Sequence, residues 1–457
     1  MTFSDGFLWG AATSAYQIEG AVAEGGRGVS IWDTFSHTPG KIAGGGTGDV
    51  ACDHYHRFRE DIAIMADLGL NAYRFSISWP RLSPTGRGEV NPAGLDFYSR
   101  LVDELLDHGI QPVATLYHWD LPQRLQDDGG WVERDTALRF AEYAAVAGRR
   151  LGDRIERFTT LNEPWCSAFL GHASGEHAPG TKDNAAALVA AHHLLLAHGL
   201  AVEALRAELP ATARLSITLN PALLRPATES AADQDACRRA HLLANRIFSE
   251  PLATGRYPDE IVNETSRHTD WSFVAAGDLA TIHTPLDFLG INYYQPMIVG
   301  AVPADPLQPL LWAGTDDVFQ HAPPPPRTGM GWTIDAAGLT ELLARTAIEF
   351  PGMPIMITEN GAAFEDELEE GGEYRDEQRA LYLREHIAAV GAAADAGVDI
   401  RGYFAWSLLD NFEWAWGYGQ RFGLVHVDFD TQQRRPKYSA QVYRDIVRAT
   451  TPAPHPG

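Results

Sequence analysis

A repeated pattern of helix, glycine and strand constrains the fold of this 457-residue chain more than any other feature. An amphipathic helical segment runs up to a glycine, and an apolar or β-branched run follows within a few residues. The four clearest instances are Gly69 before 70–79, Gly109 before 110–119, Gly152 before 155–161 and Gly397 before 400–408. Stacked units of one strand and one helix produce this pattern.

Further apolar runs bring the number of predicted strands to eight, and helical patterns separate them. The additional strands are 8–18, 215–219, 288–294 and 354–358, and the helices include 54–68, 95–108, 137–151, 185–208, 231–249, 337–349 and 378–396. Eight strands that alternate with helices predict a closed (β/α)8 TIM barrel. Because no change of composition divides the chain, we predict one domain over 1–457 with long βα loops and a frayed tail from about residue 450.

Polar and aromatic residues collect where the predicted strands end. In chain order they are Gln17, Glu19, Arg74, Trp79, His118, Trp119, Asp120, Asn162, Glu163, Asn220, Asn292, Tyr293, Tyr294, Glu359, Asn360, Trp406, Asp410, Asn411, Glu413 and Trp414. The active site of such a barrel lies at the C-terminal ends of its strands, so these side chains should converge. Amides, carboxylates, imidazole and indoles suit a sugar, whose hydroxyls need fixed partners and whose C–H faces stack on aromatic rings.

Two carboxylates in this set, Glu163 and Glu359, each end a β-rich run beside an asparagine. Glycoside hydrolysis requires such a pair, because one carboxyl protonates the leaving oxygen and the other attacks the anomeric carbon or activates water. A separation of about 5 to 5.5 Å would indicate retention of configuration, and roughly 6.5 to 9.5 Å would indicate inversion. The residues alone leave both outcomes open.

Charge and hydropathy exclude several classes of partner. Sixty acidic against 36 basic residues give a net charge of −24, which disfavours nucleic acid and anionic membrane surfaces. The most apolar long stretch, 185–205, carries three histidines and a glutamate, so we predict a core helix and not a membrane span. Residues 1–10 lack a basic segment followed by an apolar one, which favours a cytoplasmic protein.

The sequence predicts neither a metal site nor a disulfide framework. The three cysteines, Cys52, Cys166 and Cys237, are an odd number without paired spacing. His54 and His56 lie near Cys52, but no second cluster of ligands accompanies them, so we predict structural hydrogen bonds for both.

Signatures of other cofactors are also missing from the sequence. The glycines at 44–46 follow no clear strand and open no helix, unlike a phosphate-binding loop. The acidic run 365–377 lacks the ligand spacing of a calcium loop, so we predict a solvated loop there. We therefore expect an enzyme that needs no cofactor.

Seven motifs, read together, resemble those of glycoside hydrolase family 1, a family of (β/α)8 barrels that includes the β-glucosidases and works with retention. The motifs are FLWGAATSAYQIEG at 7–20, YRFSISWP at 73–80, LYHWD at 116–120, TLNEP at 160–164, GINYY at 290–294, ITENG at 357–361 and WSLLDNFEW at 406–414. Their span covers almost the whole chain. Each is moderately specific alone, and seven in order make coincidence implausible.

This resemblance implies a role for each member of the carboxylate pair. Glu359 would be the nucleophile, kept ionised by Arg74 and by the hydroxyl of Tyr294. Glu163 would be the general acid, with a pKa raised by the neighbouring charge of Glu359. Because the covalent intermediate consumes that charge, the pKa of Glu163 would then fall, and Glu163 would act as the base.

The resemblance also implies a set of substrate-binding residues. Asn162 would contact the 2-hydroxyl, Trp406 would lie beneath the sugar ring, and Trp332 is the candidate platform for the aglycone. The other members of the set are Gln17, His118, Trp119, Asn292, Tyr294, Glu413 and Trp414. On the aglycone side, Cys166 and Trp416 are expected near the entrance.

We thus expect a retaining exo-β-glycosidase, most simply a β-glucosidase acting on small β-glycosides or cello-oligosaccharides, with some tolerance of galactosides or fucosides. One alternative is a 6-phospho-β-glycosidase, which the carboxylate of Glu413 disfavours because it would repel a 6-phosphate. The other is a sugar-binding barrel without chemistry, which the presence of both carboxylates disfavours. The oligomeric state is not predicted.

Overall fold

The computed structural model describes residues 3–88 and 90–450 and contains a closed barrel of eight parallel strands. The strands are β1 (Leu8–Ala12), β2 (Ala72–Ser76), β3 (Gln111–Tyr117), β4 (Arg157–Asn162), β5 (Arg214–Leu219), β6 (Leu289–Asn292), β7 (Ile355–Asn360) and β8 (Ile400–Trp406). Neighbours in the barrel are neighbours along the chain, and β8 closes onto β1. The predicted barrel is confirmed, whereas most of the predicted frayed tail lies outside the described residues.

One principal helix follows each strand. They are α1 (His54–Asp67), α2 (Pro92–Asp107), α3 (Asp135–Leu151), α4 (Asn184–Glu208), α5 (Ala231–His241), α6 (Ala336–Glu349), α7 (Glu377–Asp395) and α8 (Tyr438–Thr450). The predicted helix 231–249 differs from the observed one, because a π-helical stretch at Leu242–Arg246 separates α5 from a further helix, Ile247–Thr254.

Shorter elements lie in the loops. Short strands are Leu223–Pro226, Pro296–Gly300, Phe319–His321, Glu367–Leu368, Tyr374–Arg375, Val425–Val427 and Arg434–Pro436. Short α-helices are Ala15–Ile18, Ile31–Ser36, Trp79–Leu82, Gln123–Asp127, Asp259–Glu264 and Asp278–Ile282. Ala43–Gly45, Gly130–Val132 and Trp414–Trp416 are 3-10 turns, and Cys166–Ser174 is π-helical.

The glycines that end the predicted helices do so for two different reasons. Gly69, Gly109 and Gly397 have φ of 74°, 71° and 100°, the left-handed conformation in which a glycine commonly ends a helix. Gly152 has φ of −74° and needs no such freedom. A Cβ there would lie 2.0 Å from Leu209 Cδ2, so close packing accounts for this glycine.

Two predicted strands extended furthest beyond the observed C-terminal ends. The chain leaves β1 after Ala12 and becomes helical at Ala15–Ile18, because the Ala15 N–H donates to Ser76 Oγ at 2.7 Å instead of to a strand. Likewise β2 ends at Ser76, and the Ser78 N–H is bound by the hydroxyl of Tyr98 at 2.7 Å. These contacts join distant segments, so local sequence does not reveal them.

The two strands that carry the carboxylate pair are irregular at their ends. The register of β7 against β6 shifts between Ile357 and Glu359, so that Glu359 pairs with Asn292. The register of β4 against β5 shifts in the same way just before Asn162. Bulges of this kind redirect side chains and are common beside active sites.

The helix α4 is long and apolar enough to cross a membrane by length and composition alone, but 78% of its most apolar stretch is buried inside the fold. Its histidines are buried and bonded: His192 Nε2 to Asp278 Oδ2 at 3.0 Å, His193 Nδ1 to Trp131 O at 3.0 Å and His198 Nδ1 to Thr160 Oγ1 at 2.6 Å. The predicted core helix is confirmed.

The acidic run 365–377 is not the simple solvated loop predicted from its composition. Its two short strands pair as a hairpin, and most residues of the run are exposed. The side chains of Asp366 and Asp376, which flank the hairpin, are buried and both accept hydrogen bonds from Arg379. The prediction was wrong for these two residues because both pair with Arg379, which lies just beyond the acidic run on α7.

Candidate active site

Glu359, at the end of β7, is 3% exposed and has a donor on each carboxylate oxygen. Arg74 Nη1 donates to Oε1 at 2.6 Å, and the hydroxyl of Tyr294 donates to Oε2 at 2.6 Å. A buried guanidinium and a hydroxyl both stabilise an ionised carboxylate. The predicted environment of Arg74 and Tyr294 around Glu359 is therefore present.

Glu163 directly follows β4 and has a very different environment. Its φ is 46°, and its main-chain N–H donates to Thr218 O at 3.0 Å. Asn292 Nδ2 donates to Oε1 at 2.6 Å, and the Cys166 thiol donates to Oε2 at 3.1 Å. Burial, followed by the charge of Glu359, raises the pKa of Glu163 to about 7. The sequence argument identified only the second of these causes.

A chain of amide hydrogen bonds connects the two carboxylates. Asn162 Oδ1 accepts from Arg74 Nη2 at 2.7 Å and from Asn292 Nδ2 at 3.1 Å. Asn162 Nδ2 donates to His118 Nε2 at 3.0 Å. Burial and the charge of Arg74 hold the pKa of His118 well below its usual value, so this ring is neutral with its proton on Nδ1. That Nδ1 has no partner among the described residues, which leaves it free to donate to a ligand.

Glu413 is a third buried carboxyl in the same region, 9% exposed. Gln17 Nε2 lies 3.5 Å from Glu413 Oε2 and also donates to Asn411 Oδ1 and Phe412 O at 3.0 and 2.9 Å. Burial, followed by the charges of Glu359 and Glu163, raises the pKa of Glu413 to about 8. We call Glu163, Glu359 and Glu413 the carboxylate pocket. Within the described ranges, Arg74 is the only side-chain cation paired with any of the three.

Aromatic rings border the carboxylate pocket. His118 lies close to parallel with Trp406, at 5.8 Å between ring centroids, and with Trp414 at 6.1 Å. Trp119 packs on Trp414 at 4.6 Å, and its ring N–H donates to Asn162 O at 2.9 Å, which helps to hold the amide chain in place. Trp332 packs against Tyr294 at 5.3 Å, which places it beside a direct partner of Glu359.

The structure thus brings together every residue of the predicted catalytic and substrate-binding sets, but several other strand-end residues bond elsewhere. Glu19 pairs with Arg81, and Asn360 Nδ2 donates to Tyr293 O at 2.7 Å. The strand-end residues outside the pocket network are Glu19, Trp79, Asp120, Tyr293, Asn360 and Asp410. Adjacent residues of a strand point to opposite faces, so only a part of each strand-end group can face the pocket.

Two positions differ from expectation or were missed. Cys166, expected at the entrance, is 6% exposed and bonded to Glu163, because the π-helical stretch directs its side chain inward. Phe422 packs against Trp332 at 6.0 Å and Tyr294 at 6.2 Å. It lies in an irregular segment with no motif or periodicity that could have indicated this position.

One group of potential metal ligands occurs among the described residues, outside the carboxylate pocket. Ligand atoms of Asp366, Asp410 and His426 lie within 4.8 Å of one another. Lys437 Nζ lies 2.7 Å from an oxygen of each aspartate, so an ammonium already occupies the position a cation would take. The predicted structural role of His54 fits its bond from Nδ1 to Asp61 Oδ2 at 2.7 Å.

Comparison with known proteins agrees with this arrangement. The family model described as Glycosyl hydrolase family 1 matches residues 1–451. A bifunctional β-D-glucosidase/β-D-fucosidase of Bifidobacterium breve is 51% identical over 459 residues, covering 98% of each chain.

Two solved structures have the same fold over nearly their full length. The psychrophilic β-glucosidase of Micrococcus antarcticus superposes with a TM-score of 0.95 at 46% identity, covering 99% of this chain and 98% of the other. The β-glucosidase of Thermotoga maritima in complex with glucoimidazole gives 0.92 at 44% identity, covering 98% and 99%. The chain described here belongs to glycosyl hydrolase family 1.

Proposed function

We propose that this protein is a retaining exo-β-glucosidase that releases terminal β-D-glucosyl residues from the non-reducing ends of small β-glycosides, including cello-oligosaccharides. The observation that carries the proposal is the unequal environment of two linked, buried carboxylates. Glu359 is bonded to Arg74 and Tyr294, whereas Glu163 has no cationic partner within the described residues. The carboxylate with a cationic partner, Glu359, is suited to act as the ionised nucleophile, and the carboxyl without one, Glu163, is suited to act as the protonated acid.

In the first step, a carboxylate oxygen of Glu359 attacks the anomeric carbon while Glu163 gives its proton to the glycosidic oxygen, and the C–O bond to the aglycone breaks. The covalent glycosyl-enzyme then carries no charge on Glu359. Since that charge is one cause of the raised pKa of Glu163, the pKa of Glu163 falls at this point. Glu163 can then take a proton from water, which displaces Glu359 and restores the original anomeric configuration.

The surrounding side chains support the binding of one glucosyl unit. Asn162 Oδ1 already accepts from Arg74 and Asn292, and one Nδ2 hydrogen goes to His118, so Asn162 would donate its second Nδ2 hydrogen to the 2-hydroxyl. Trp406 would stack beneath the ring, and Trp332 beside Tyr294 would contact the aglycone. The remaining proposed sugar contacts are Gln17, His118, Trp119, Asn292, Tyr294, Glu413 and Trp414.

Two features support an unphosphorylated sugar and a catalytic barrel. Glu413 is buried and has no lysine or arginine paired with it in the described parts of the chain, whereas a phosphate group would need such partners. A barrel that only bound sugars would gain nothing from the cost of burying these carboxylates. The name of the Bifidobacterium breve relative supports testing β-fucosides beside β-glucosides.

The decisive experiment is hydrolysis of an aryl β-glucoside by Glu359→Ala. We expect turnover to fall about 10⁴-fold or more, and added azide to restore reaction with an α-glycosyl azide as product. Glu385→Ala, at an exposed position on α7, is the matched control and should retain full activity. Undiminished turnover by Glu359→Ala would contradict the proposed function.

A further inference from the structure

The thiol of Cys166 lies against the proposed acid and base, and the mechanism above assigns it no task. Its sulfur is 3.1 Å from Glu163 Oε2, and both residues are more than nine-tenths buried. The main-chain N–H of Cys166 also donates to the carbonyl of Glu163 at 2.9 Å. The two residues are thus connected through both backbone and side chain.

The surroundings of Cys166 keep its proton in place and orient it. Burial and the charge of Glu163 raise the pKa of the Cys166 thiol well above its usual value, so it is a poor thiolate nucleophile. Asn220 Nδ2 lies 3.5 Å from the sulfur and donates to it. Because the Asn220 amide donates to the sulfur, the S–H of Cys166 points to its other neighbour, the carboxylate of Glu163.

We propose that Cys166 is a positioning residue for Glu163, whose S–H stabilises the ionised carboxylate during the step in which Glu163 acts as base. This inference rests on the proposed function. Glu163 Oε1 already accepts from Asn292, so the thiol supplies the donor for the second oxygen. When Glu163 is protonated, the thiol has no anion to stabilise, and its contribution is therefore specific to one half of the reaction.

The opposing influences on Glu163 explain why such a donor matters. Burial and the nearby charge of Glu359 raise the pKa of Glu163, whereas the bonds from Asn292 and Cys166 lower it. Removing the S–H should therefore make Glu163 hold its proton more tightly. The acid step would tolerate this change, but the base step would suffer at low pH.

The test compares Cys166→Ala, Cys166→Val and Cys166→Ser, with Cys237→Ala on α5 as the matched control away from Glu163. The basic limb of kcat/KM for an aryl β-glucoside with a poor leaving group reports loss of the Glu163 proton in the free enzyme. We expect this limb to move up by about 0.5 to 1 pH unit in the Ala and Val variants. The Ser variant, which keeps a donor, should remain at or below the wild-type position.

A second measurement isolates the base step. With a dinitrophenyl β-glucoside, whose leaving group needs no acid, kcat follows hydrolysis of the glycosyl-enzyme. Below pH 6 we expect kcat of the Ala and Val variants to fall about 3- to 10-fold, in proportion to the lost ionised fraction. Cys237→Ala should match the wild type in both experiments.

The possible failures are distinguishable. If the Ala and Val variants fold and keep both wild-type pH profiles, the proposal is wrong even if their melting temperatures fall, because packing alone would explain the cysteine. If Ser behaves like Ala, the hydrogen bond is not the cause and the proposal is again wrong. If the wild-type protein fails to hydrolyse any aryl β-glycoside, the proposed function itself is wrong and this inference fails with it.

Discussion

Two groups of buried carboxylates in this protein have opposite electrostatic environments: one has few neighbouring cations and the other has several. The carboxylate pocket holds three glutamates and, among the described residues, a single paired cation, Arg74. The second group, which we call the ion cluster, consists of Asp366, Asp376, Asp410, Arg379, Arg421 and Lys437. There Lys437 Nζ lies 2.7 Å from both Asp366 and Asp410, and Arg421 lies 2.8 Å from Asp410.

Whether a buried carboxyl in these two groups keeps its proton depends on the cations beside it and not on how deeply it is buried. Burial raises the pKa of Glu163 to about 7 and of Glu413 to about 8, with neighbouring anions adding to the effect. Burial alone would also raise the pKa of Asp366, but its bond with His426 and the charges of Lys437 and Arg379 outweigh burial and lower it. Protons in the pocket can therefore move near neutral pH, whereas Asp366 in the ion cluster is held ionised.

The two groups are also joined in the fold. Asp410 of the ion cluster lies three residues before Glu413 of the pocket, in the loop that follows β8. Asp410 Oδ1 also accepts from the Gly423 N–H at 2.9 Å, which anchors this loop to the segment that carries Phe422. The ion cluster thus helps to fix the position of the loop that carries Glu413 into the carboxylate pocket.

The largest effect is expected from Lys437→Met, which removes the cation shared by Asp366 and Asp410. Leaving buried carboxylates without their partner should lower the free energy of unfolding by about 3 to 5 kcal/mol, as measured by urea denaturation at pH 7. Arg435→Met, at an exposed position two residues earlier, is the control and should change stability by less than about 0.5 kcal/mol. A loss below about 1 kcal/mol in Lys437→Met would show that Arg379 and Arg421 suffice.

The ion cluster also marks a limit of sequence analysis. The barrel was predictable because strand and helix periodicities are local, and because the C-terminal ends of parallel strands converge. The ion cluster was not, since Asp366, Asp410 and Lys437 come from three separate segments and lie in no common motif. Asp366 and Asp376 were predicted to lie in a solvated loop, and Asp410 was predicted to lie at the end of a strand.

Within the site, the motifs predicted which residues meet, but the sequence could not predict what each one bonds to. Glu359 and Asn360 are adjacent, yet one faces the pocket and the other donates to Tyr293 O. The inward direction of Cys166 depends on a π-helical stretch, and the bulge before Glu359 depends on the pairing of β7 with β6. Both are set by packing between elements, which local propensity does not encode.

A second, pH-dependent effect is expected from Glu413→Gln. The pKa of Glu413 is about 8 when folded, against about 4.3 for an unfolded glutamate. Between these values the folded protein binds a proton that the unfolded chain has lost, so stability falls as the pH rises, by as much as about 1.4 kcal/mol per pH unit for this group. Glutamine does not titrate and should remove this part of the slope.

The measurement is the free energy of unfolding of both proteins from pH 5 to pH 8. We expect the wild type to lose stability more steeply than Glu413→Gln over this range, with the two closest at pH 5. Glu385→Gln on α7 is the exposed control and should follow the wild type. Parallel curves would show that Glu413 is ionised in the folded protein and that the pocket differs less from the ion cluster than proposed.

The smallest effect is expected from Asp120→Asn. This substitution tests whether burial without a paired cation raises the pKa of a carboxyl that lies outside the pocket. Asp120 is 1% exposed, lies outside the pocket network, and forms no ion pair with any of the described residues. Burial raises the pKa of Asp120 to about 8, against about 3.9 for an unfolded aspartate. At pH 4 the carboxyl is neutral in the folded protein and about half protonated in the unfolded chain, so an asparagine replaces it with little change in proton uptake on folding. We expect the free energy of unfolding at pH 4 to change by less than about 1 kcal/mol.

Asp410→Asn is the contrasting substitution, because that carboxylate accepts from Lys437 and Arg421 and its loss leaves two cations under-compensated. At pH 6 it should lower the free energy of unfolding, by the same argument as for Lys437. Between pH 4 and pH 8, by contrast, Asp120→Asn should become progressively more favourable, by as much as about 1.4 kcal/mol per pH unit, because the folded wild-type protein keeps a proton that the unfolded chain has lost. A loss of stability above about 2 kcal/mol for Asp120→Asn between pH 4 and pH 6 would mean that this carboxyl is ionised and paired, and burial without a cation would no longer explain its raised pKa.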